Sequence, residues 1–213
     1  MMRAFITGTD TGVGKTFATA LITAALRRAG YGTIALKPLC SGDRGDVEIL
    51  QSAGGGEVTL DEINPVWLQT PVAPLVAARA EGKTISLAAL AEWFAGITAE
   101  KSSYLVEGAG GWLVPITERE TIADLAERFG LPVIPVVANR LGCINHTLLT
   151  LESIRARGLQ CPGIILNQLA PAHDASLVSN RDILSNYTTI LLEISPGQTG
   201  LSQGELEVLQ GIY

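Results

Sequence analysis

The 213-residue chain has little of what thiolate or imidazole metal chemistry needs. It holds two histidines, His146 and His173, and three cysteines, Cys40, Cys143 and Cys161, far apart in sequence. No C-x-x-C pair occurs, so no zinc site is expected, and the odd cysteine number fits a reduced compartment. Basic charge is scarce too: 15 Lys and Arg face 21 Asp and Glu, for a formal net charge of -6. The sequence pI is about 5.0. Such a surface argues against nucleic acid or an anionic membrane as the main partner, since both demand a basic footprint. No apolar run approaches the roughly 18 uninterrupted residues of a membrane span. The opening MMRAFITGTD runs into an apolar strand and a glycine turn rather than a signal-peptide core. The expectation is a soluble cytoplasmic protein.

What is present is a globular composition, 47% apolar and 17% charged, over a length that suits one α/β domain spanning residues 1–213. Short apolar runs at 3–7, 33–37, 104–108, 132–138, 163–167 and 189–194 read as buried strands. Helical spacing fills Thr16 to Arg28, Leu87 to Ala99, Ile122 to Phe129 and Ile144 to Arg157. Arg27-Arg28-Ala29-Gly30 and Arg155-Ala156-Arg157-Gly158 place cations in a last turn with glycine beyond it. This alternation implies a mostly parallel sheet with helices on both faces and right-handed crossovers. Pro135 weighs against a fully central place for its strand, although Val133, Ile134, Val136 and Val137 surround it. The polar, glycine-rich stretch from Gly42 to Gly56 is expected to form a mobile loop around a short helix.

GTDTGVGKT, residues 8–16, follows the first strand and opens the first helix. Its glycines let backbone N–H groups converge on phosphate oxygens, and the helix N-terminus adds a favourable dipole. Lys15 is placed to reach the β/γ-phosphates and the Thr16 hydroxyl to ligate Mg²⁺. The spacing is odd, however: counting back from Gly14-Lys15-Thr16 puts the first position of the usual pattern at Thr9, one residue after Gly8. Glu107 closes the strand YLV and is followed by GAGG, a carboxylate suited to Mg²⁺ beside residues that let a ligand approach closely. Asp46 reads equally well as a second metal carboxylate and as the N-cap of a helix in GDVEIL. Lys37 ends the second strand at the ligand edge of the sheet, with Ser41 and Gly42 in the loop beyond. A snorkelling surface lysine and an ordinary turn are the structural alternatives for that pair.

Four segments, GTDTGVGKT (8–16), KPLCSG (37–42), VEGAGGWLVP (106–115) and RLGCINHTLLT (140–150), resemble in content and order the dethiobiotin synthetase family, whose phosphate loop has this spacing. The resemblance extends from Thr7 to Asn167. It implies a P-loop NTPase-like fold, a homodimer with active sites at the subunit interface, and ATP and Mg²⁺ as cofactors. The reaction it implies joins CO₂ to 7,8-diaminononanoate (7,8-diaminopelargonate). The intermediates are a carbamate and then a carbamic–phosphoric anhydride, and the products are dethiobiotin, ADP and phosphate. By the same resemblance Lys15 and Lys37 flank the carbamate and the transferring phosphate, with Thr11 and Ser41 as hydroxyl partners. Thr16, Asp46 and Glu107 hold Mg²⁺. Gly12, Val13, Gly14, Phe17, Gly108, Ala109 and Gly110 surround nucleotide and substrate. Gly142, Cys143, Ile144 and Asn145 receive the substrate carboxylate from across the interface, and Asn167, Gln168 and Pro196 lie at the nucleotide base.

Two features bear on that reading. Gly142 to Asn145 opens a helix and presents free N–H groups to an anion, although an ordinary helix start capped by Asn145 has the same sequence. Cys143 is then a small apolar residue and not a nucleophile, and His146 reads as packing or capping rather than as a base. In the tail the chain reads Ile194-Ser195-Pro196, one residue displaced from the family's Ile-Pro. A nucleotide-switch ATPase of the partitioning type is the alternative function. Its loop carries a second lysine, which Thr9 to Val13 lacks. A cobalamin-type amidotransferase would need a glutaminase domain, for which the chain has no room.

Overall fold

The computed structural model describes residues 1–169 and 176–211; His173 lies outside them. In chain order the elements are β1 (Arg3–Gly8), α1 (Lys15–Arg28), β2 (Ile34–Leu36), β3 (Leu39–Ser41) and α2 (Gly45–Ala53). Then come α3 (Leu60–Ile63), β4 (Val66–Leu68), α4 (Pro74–Ala80), α5 (Leu87–Thr98), β5 (Tyr104–Glu107) and α6 (Ile122–Phe129). The chain continues through β6 (Val133–Ala138), α7 (Cys143–Ala156), β7 (Ile164–Asn167), α8 (Ser176–Leu184), β8 (Ile190–Ile194) and α9 (Gln203–Gln210). Six strands form one sheet in the order β2-β5-β1-β6-β7-β8, and every pairing within it is parallel. The expected P-loop NTPase-like sheet, with helices on both faces, is what the chain forms.

Burial on both faces explains why the strands read as unbroken apolar runs. Along β1, Phe5 faces a core with Val106, Val133 and the α6 residues Ile122, Leu125 and Phe129. Its neighbours Ala4 and Ile6 face a second core with Leu21, Ile22 and Leu26 of α1 and Leu206 and Leu209 of α9. Helix α1 buries Ala18, Leu21, Ile22, Ala25 and Leu26, the i, i+3, i+4, i+7, i+8 stripe of a helix packed on a sheet. Its buried threonines are satisfied internally, Thr19 donating to Lys15 O and Thr23 to Thr19 O.

Pro135 does sit in an interior strand, paired with Thr7 of β1. The strand tolerates it for a geometric reason. The Val133 N–H donates to Gln160 O on the β7 side, and strand alternation turns the Pro135 nitrogen the same way. Pairing with β7 begins only at Val136, so the missing donor falls just before that ladder.

The segment from Gly42 to Gly56 is more ordered than expected. Nine of its residues form α2, entered through Asp43, whose Oδ1 accepts the Gly45 N–H at 2.8 Å. The stretch before and after α2 builds a second, two-stranded parallel sheet, β3 with β4. The Lys37 N–H donates to Ile63 O at 3.0 Å, and buried Asn64 donates its amide to Lys37 O at 2.8 Å. The lysine's main chain is thus gripped at the point where the polypeptide leaves one sheet for the other. Among the described residues no helix is long and apolar enough to cross a membrane.

Candidate active site

Strand order decides where the site lies. Between forming β2 and β6 the chain inserts β5 beside β1, then builds outward on the other side through β6, β7 and β8. The C-terminal edge around β1 is therefore where loops diverge and a crevice opens. Three groups arrive there from three strand ends: the loop after Gly8, Lys37 after β2, and Glu107 as the last residue of β5.

A cavity of about 590 Å³ fills the crevice. Its walls include Thr11, Gly12, Gly14, Lys15 and Thr16 from the loop and helix start, Lys37 and Ser41, Asp46 of α2, and Glu107, Ala109 and Gly110. The structure thus brings together the lysines, hydroxyls and carboxylates singled out in sequence. It adds Cys40, Val114 and the turn Pro71-Val72-Ala73-Pro74, which the sequence reading missed. The proline pair fixing an extended stretch ahead of α4 was the available signal.

At the centre stands a buried ion cluster. Lys37 Nζ donates to Glu107 Oε1 and, at 2.8 Å, to Asp46 Oδ2. Thr16 Oγ1 donates to the same Glu107 Oε1 at 2.8 Å. Glu107 is wholly buried and Lys37 is 4% exposed. Burial works against the Lys37 charge, but Glu107 and Asp46 outweigh it and hold the ammonium above the usual lysine value. For Lys15, also buried, desolvation wins and pushes its pKa below the usual value, with Glu107 opposing. Asp46 is not the N-cap of α2; that place belongs to Arg44. The Asp46 carboxylate lies one residue inside the first turn and reaches across to Lys37.

Half-exposed Asp46 gives a pH prediction. Desolvation raises its pKa, yet Lys37 and the Thr16 hydroxyl prevail and hold it below the ordinary aspartate range. A depressed carboxyl pKa stabilises the fold above the unfolded value, ~3.9, and that contribution disappears as pH falls through the lower folded value. The Asp46 carboxyl resonance is expected to titrate with its midpoint below the ordinary aspartate value. A ¹³C titration with an ordinary aspartate midpoint would break the assigned pairing.

The cluster also shows what it lacks. Among the described residues, buried Glu107 Oε2 has no hydrogen-bond partner, nor has Ser41 Oγ. An unpaired carboxylate oxygen in a buried site is costly. A divalent cation beside the Thr16 hydroxyl and Asp46 would satisfy it, so the residues present fit Mg²⁺.

Gly14, the residue preceding α1, has φ +86°, which favours glycine, and a Cβ there would meet Asn167 Nδ2 at 2.1 Å. Asn167 itself is buried and donates to Val13 O at 2.9 Å, so the end of β7 braces the loop from beneath. The Gln168 N–H donates to Ile194 O, which joins the ends of β7 and β8 and brings the turn at Pro196 alongside. Pro196 is exposed and Phe17 half-exposed, while Val13 is buried. Gly108 is packed under the strand edge, its Cβ position 3.0 Å from Ile122 Cγ2.

Gly142 to Asn145 stands apart from this cavity. Gly142 caps α7 with φ 91° and no side-chain cap bond, so the alternative with Asn145 as cap does not hold. Cys143 is buried and burial pushes its thiol pKa up, as suits a packing residue rather than a nucleophile. One turn further, His146, Leu149 and Thr150 line a second cavity of about 470 Å³, which shares Thr11 and Val114 with the first.

Comparison with known proteins bears on fold and family separately. The septum site-determining protein MinD of Pyrococcus horikoshii, solved with Mg-ADP, superposes with a TM-score of 0.60 at 20% identity, covering 98% of this chain and 86% of that one. The cell division ATPase MinD of Pyrococcus furiosus gives 0.61 at 18%, covering 98% and 89%. At such identities the likeness establishes the fold and nothing finer. The family model described as an AAA domain matches residues 2–196. Among curated relatives, the ATP-dependent dethiobiotin synthetase BioD of Akkermansia muciniphila is 43% identical over 200 residues, covering 92% of this chain and 94% of its own. That of Anaeromyxobacter dehalogenans is 44% identical over 192 residues, covering 88% and 86%. With relatives at that level of identity over most of both chains, this chain belongs to the ATP-dependent dethiobiotin synthetase family.

Proposed function

We propose that this protein carries out ATP- and Mg²⁺-dependent carboxylation and ring closure of 7,8-diaminononanoate with CO₂, forming dethiobiotin, ADP and phosphate. The observation that carries the proposal is Lys37, a buried cation pinned between Glu107 and Asp46 on the wall of a phosphate-loop cavity. Phosphoryl transfer to a weak nucleophile needs positioning and positive charge more than a protein nucleophile. The site supplies that in two lysines, and burial pushes up the pKa of the Cys40 thiol on its wall.

One substrate amine adds to CO₂ to give a carbamate, losing a proton. A carbamate oxygen attacks the γ-phosphate, ADP departs, and a mixed carbamic–phosphoric anhydride remains. The second amine then attacks the anhydride carbonyl, expelling phosphate and closing the urea ring. Lys15 and Lys37 stabilise the negative charge that gathers on the carbamate and the transferring phosphoryl group. Thr11 and Ser41 orient the carbamate through their hydroxyls, and the Ser41 oxygen has no partner among the described residues. Bound beside Thr16, Asp46 and Glu107, Mg²⁺ would supply further positive charge on the phosphates. Gly12, Gly14, Ala109 and Gly110, small and on the cavity wall, leave room for both substrates.

The substrate's far carboxylate binds the α7 N-terminus, Gly142 to Asn145, of a second copy in a homodimer. Exposed Leu113, Leu141 and Leu149 around that helix are apolar surface of the kind an interface covers. The base lies toward Asn167, Gln168 and Pro196. The protein works in the cytoplasm on small molecules, with no nucleic acid or membrane partner.

The test combines purified protein with the diamine, MgATP and labelled bicarbonate, followed by acid. Free carbamate releases its CO₂ whereas a ring urea keeps it. Acid-stable label that requires both ATP and diamine is the expected result. ATP hydrolysis without retained label would favour the nucleotide-switch alternative. Sedimentation at active concentration checks the dimer, and a monomer would remove the shared carboxylate site.

A further inference from the structure

The sequence motif that opens α7 begins at Arg140, a residue the reaction chemistry leaves without a task. Arg140 Nη2 lies 2.9 Å from Asp10 Oδ2. The other oxygen of the same carboxylate, Oδ1, accepts the Thr11 N–H at 2.7 Å. Asp10 is therefore bidentate, with one oxygen for the loop and one for the arginine. Both side chains are about half exposed, 56% and 44%, and an exposed pair of this kind contributes little to folding. Its position is what distinguishes it. Thr11 is, with Val114, one of the two residues shared by the cavities, and the Asp10 carboxylate holds its N–H.

The arginine is itself anchored. Buried Asn180 of α8 donates to Arg140 O at 3.2 Å and to Asn139 Oδ1 at 2.9 Å. Asn139 passes its own amide to Leu177 O at 3.0 Å, and its N–H goes to Asn167 O. The Cys143 N–H also returns to Arg140 O. The backbone bearing the guanidinium is thus fixed between β7, α7 and α8, whereas the loop it reaches is glycine-rich, with positive φ at Gly12 and Gly14.

We infer that Arg140 is a positioning residue: through Asp10 it fixes the head of the phosphate loop, so that the Thr11 amide and hydroxyl stay on the wall between the two cavities. No proton or bond changes hands. Arg140 acts on Thr11 geometry, and a misplacement of reacting groups by about 1 Å costs on the order of 10²-fold in rate. The kinetic part of this inference rests on the cyclisation reading above; the geometric part does not.

The experiment compares R140A, R140K, D10N and the D10N/R140A double variant. R140A is expected to lower kcat about tenfold, with the ATP KM changed less than about threefold and the thermal midpoint unmoved. R140K, which keeps a cation in reach of Asp10, is expected to recover most of the rate. Because Arg140 acts through Asp10, R140A should add nothing in the D10N background. Amide hydrogen exchange of the peptide over residues 8–16, in protein free of ligand, should be faster in R140A and D10N than in wild type. Wild-type kcat in R140A, losses that multiply in the double variant, or unchanged exchange would each overturn the inference. If wild-type protein makes no dethiobiotin, the cyclisation reading falls, and exchange alone still decides whether Arg140 holds the loop.

Discussion

Lys37→Gln is expected to reduce kcat by about 10²–10³-fold, the usual loss when one charge-stabilising donor is removed from a transition state. The KM for ATP should change only a few-fold, because the loop backbone and Lys15 remain to hold the phosphates. Glutamine keeps a donor near Glu107 and Asp46, so the cluster loses charge but not all of its hydrogen bonding. Steady-state kinetics with varied ATP and diamine separates the two parameters, and a urea melt run beside it shows whether the fold survived. An unchanged kcat would remove Lys37 from the chemistry and leave it a structural cation. A loss confined to the ATP KM would make it a ground-state binding group instead.

The second large effect is expected at Glu107. Its carboxylate is wholly buried, accepts from both Lys37 and Thr16, and stands against a lysine that is 4% exposed. Glu107→Ala strips the nearer counter-charge from that lysine and leaves only half-exposed Asp46. Removing one partner of a buried pair costs about 3–5 kcal/mol, and the surviving Asp46 contact places the expected loss near the lower figure. Replacing both partners with apolar groups can be close to neutral by the same reasoning. The double variant K37M/E107A should therefore be more stable than E107A. Urea midpoints at constant m-value measure both. A loss below ~0.5 kcal/mol in E107A, typical of an ordinary surface substitution, would mean that the cluster is not energetically coupled as its geometry indicates. Loss of the Mg²⁺ dependence of nucleotide binding is the companion expectation, since the unpaired Oε2 goes with the side chain.

Sequence reading reached the main sheet because its strands are buried on both faces and its helices carry long apolar stripes. All six of its strands and helices α1, α5, α6 and α7 agree with the expected segments to within a residue or so at each end. It did not reach β3, α3, β4 and α4. Those strands have three residues each, and α3 has four, too short for any period to declare itself. Helices α3 and α9 nevertheless carried a readable start. Thr59 with Glu62 and Ser202 with Glu205 form capping boxes, a four-residue pattern visible in the bare sequence. Helix α8 adjoins residues outside the described part.

The site divides along a similar line. The phosphate loop and Glu107 were legible because strand, turn and helix follow one another within a few residues. The Lys37–Asp46 contact was not, since the same aspartate suited a helix cap and only the third dimension separates the two roles. The proline pair Pro71 and Pro74 marked a turn, but not that it lines the cavity, because that depends on how the chain folds back beyond β4.

The grip on the Lys37 backbone has a consequence for how this protein tolerates change. Asn64 does not itself line the cavity, yet its amide holds Lys37 O and Val66 O together, and a lysine reaching across a crevice inherits every error in the peptide that carries it. Position 64 is thereby under the same constraint as the cation it supports. A map of substitutions this enzyme can accept should show an intolerant residue well outside the reacting atoms, where inspection of the ligand contacts alone would predict freedom.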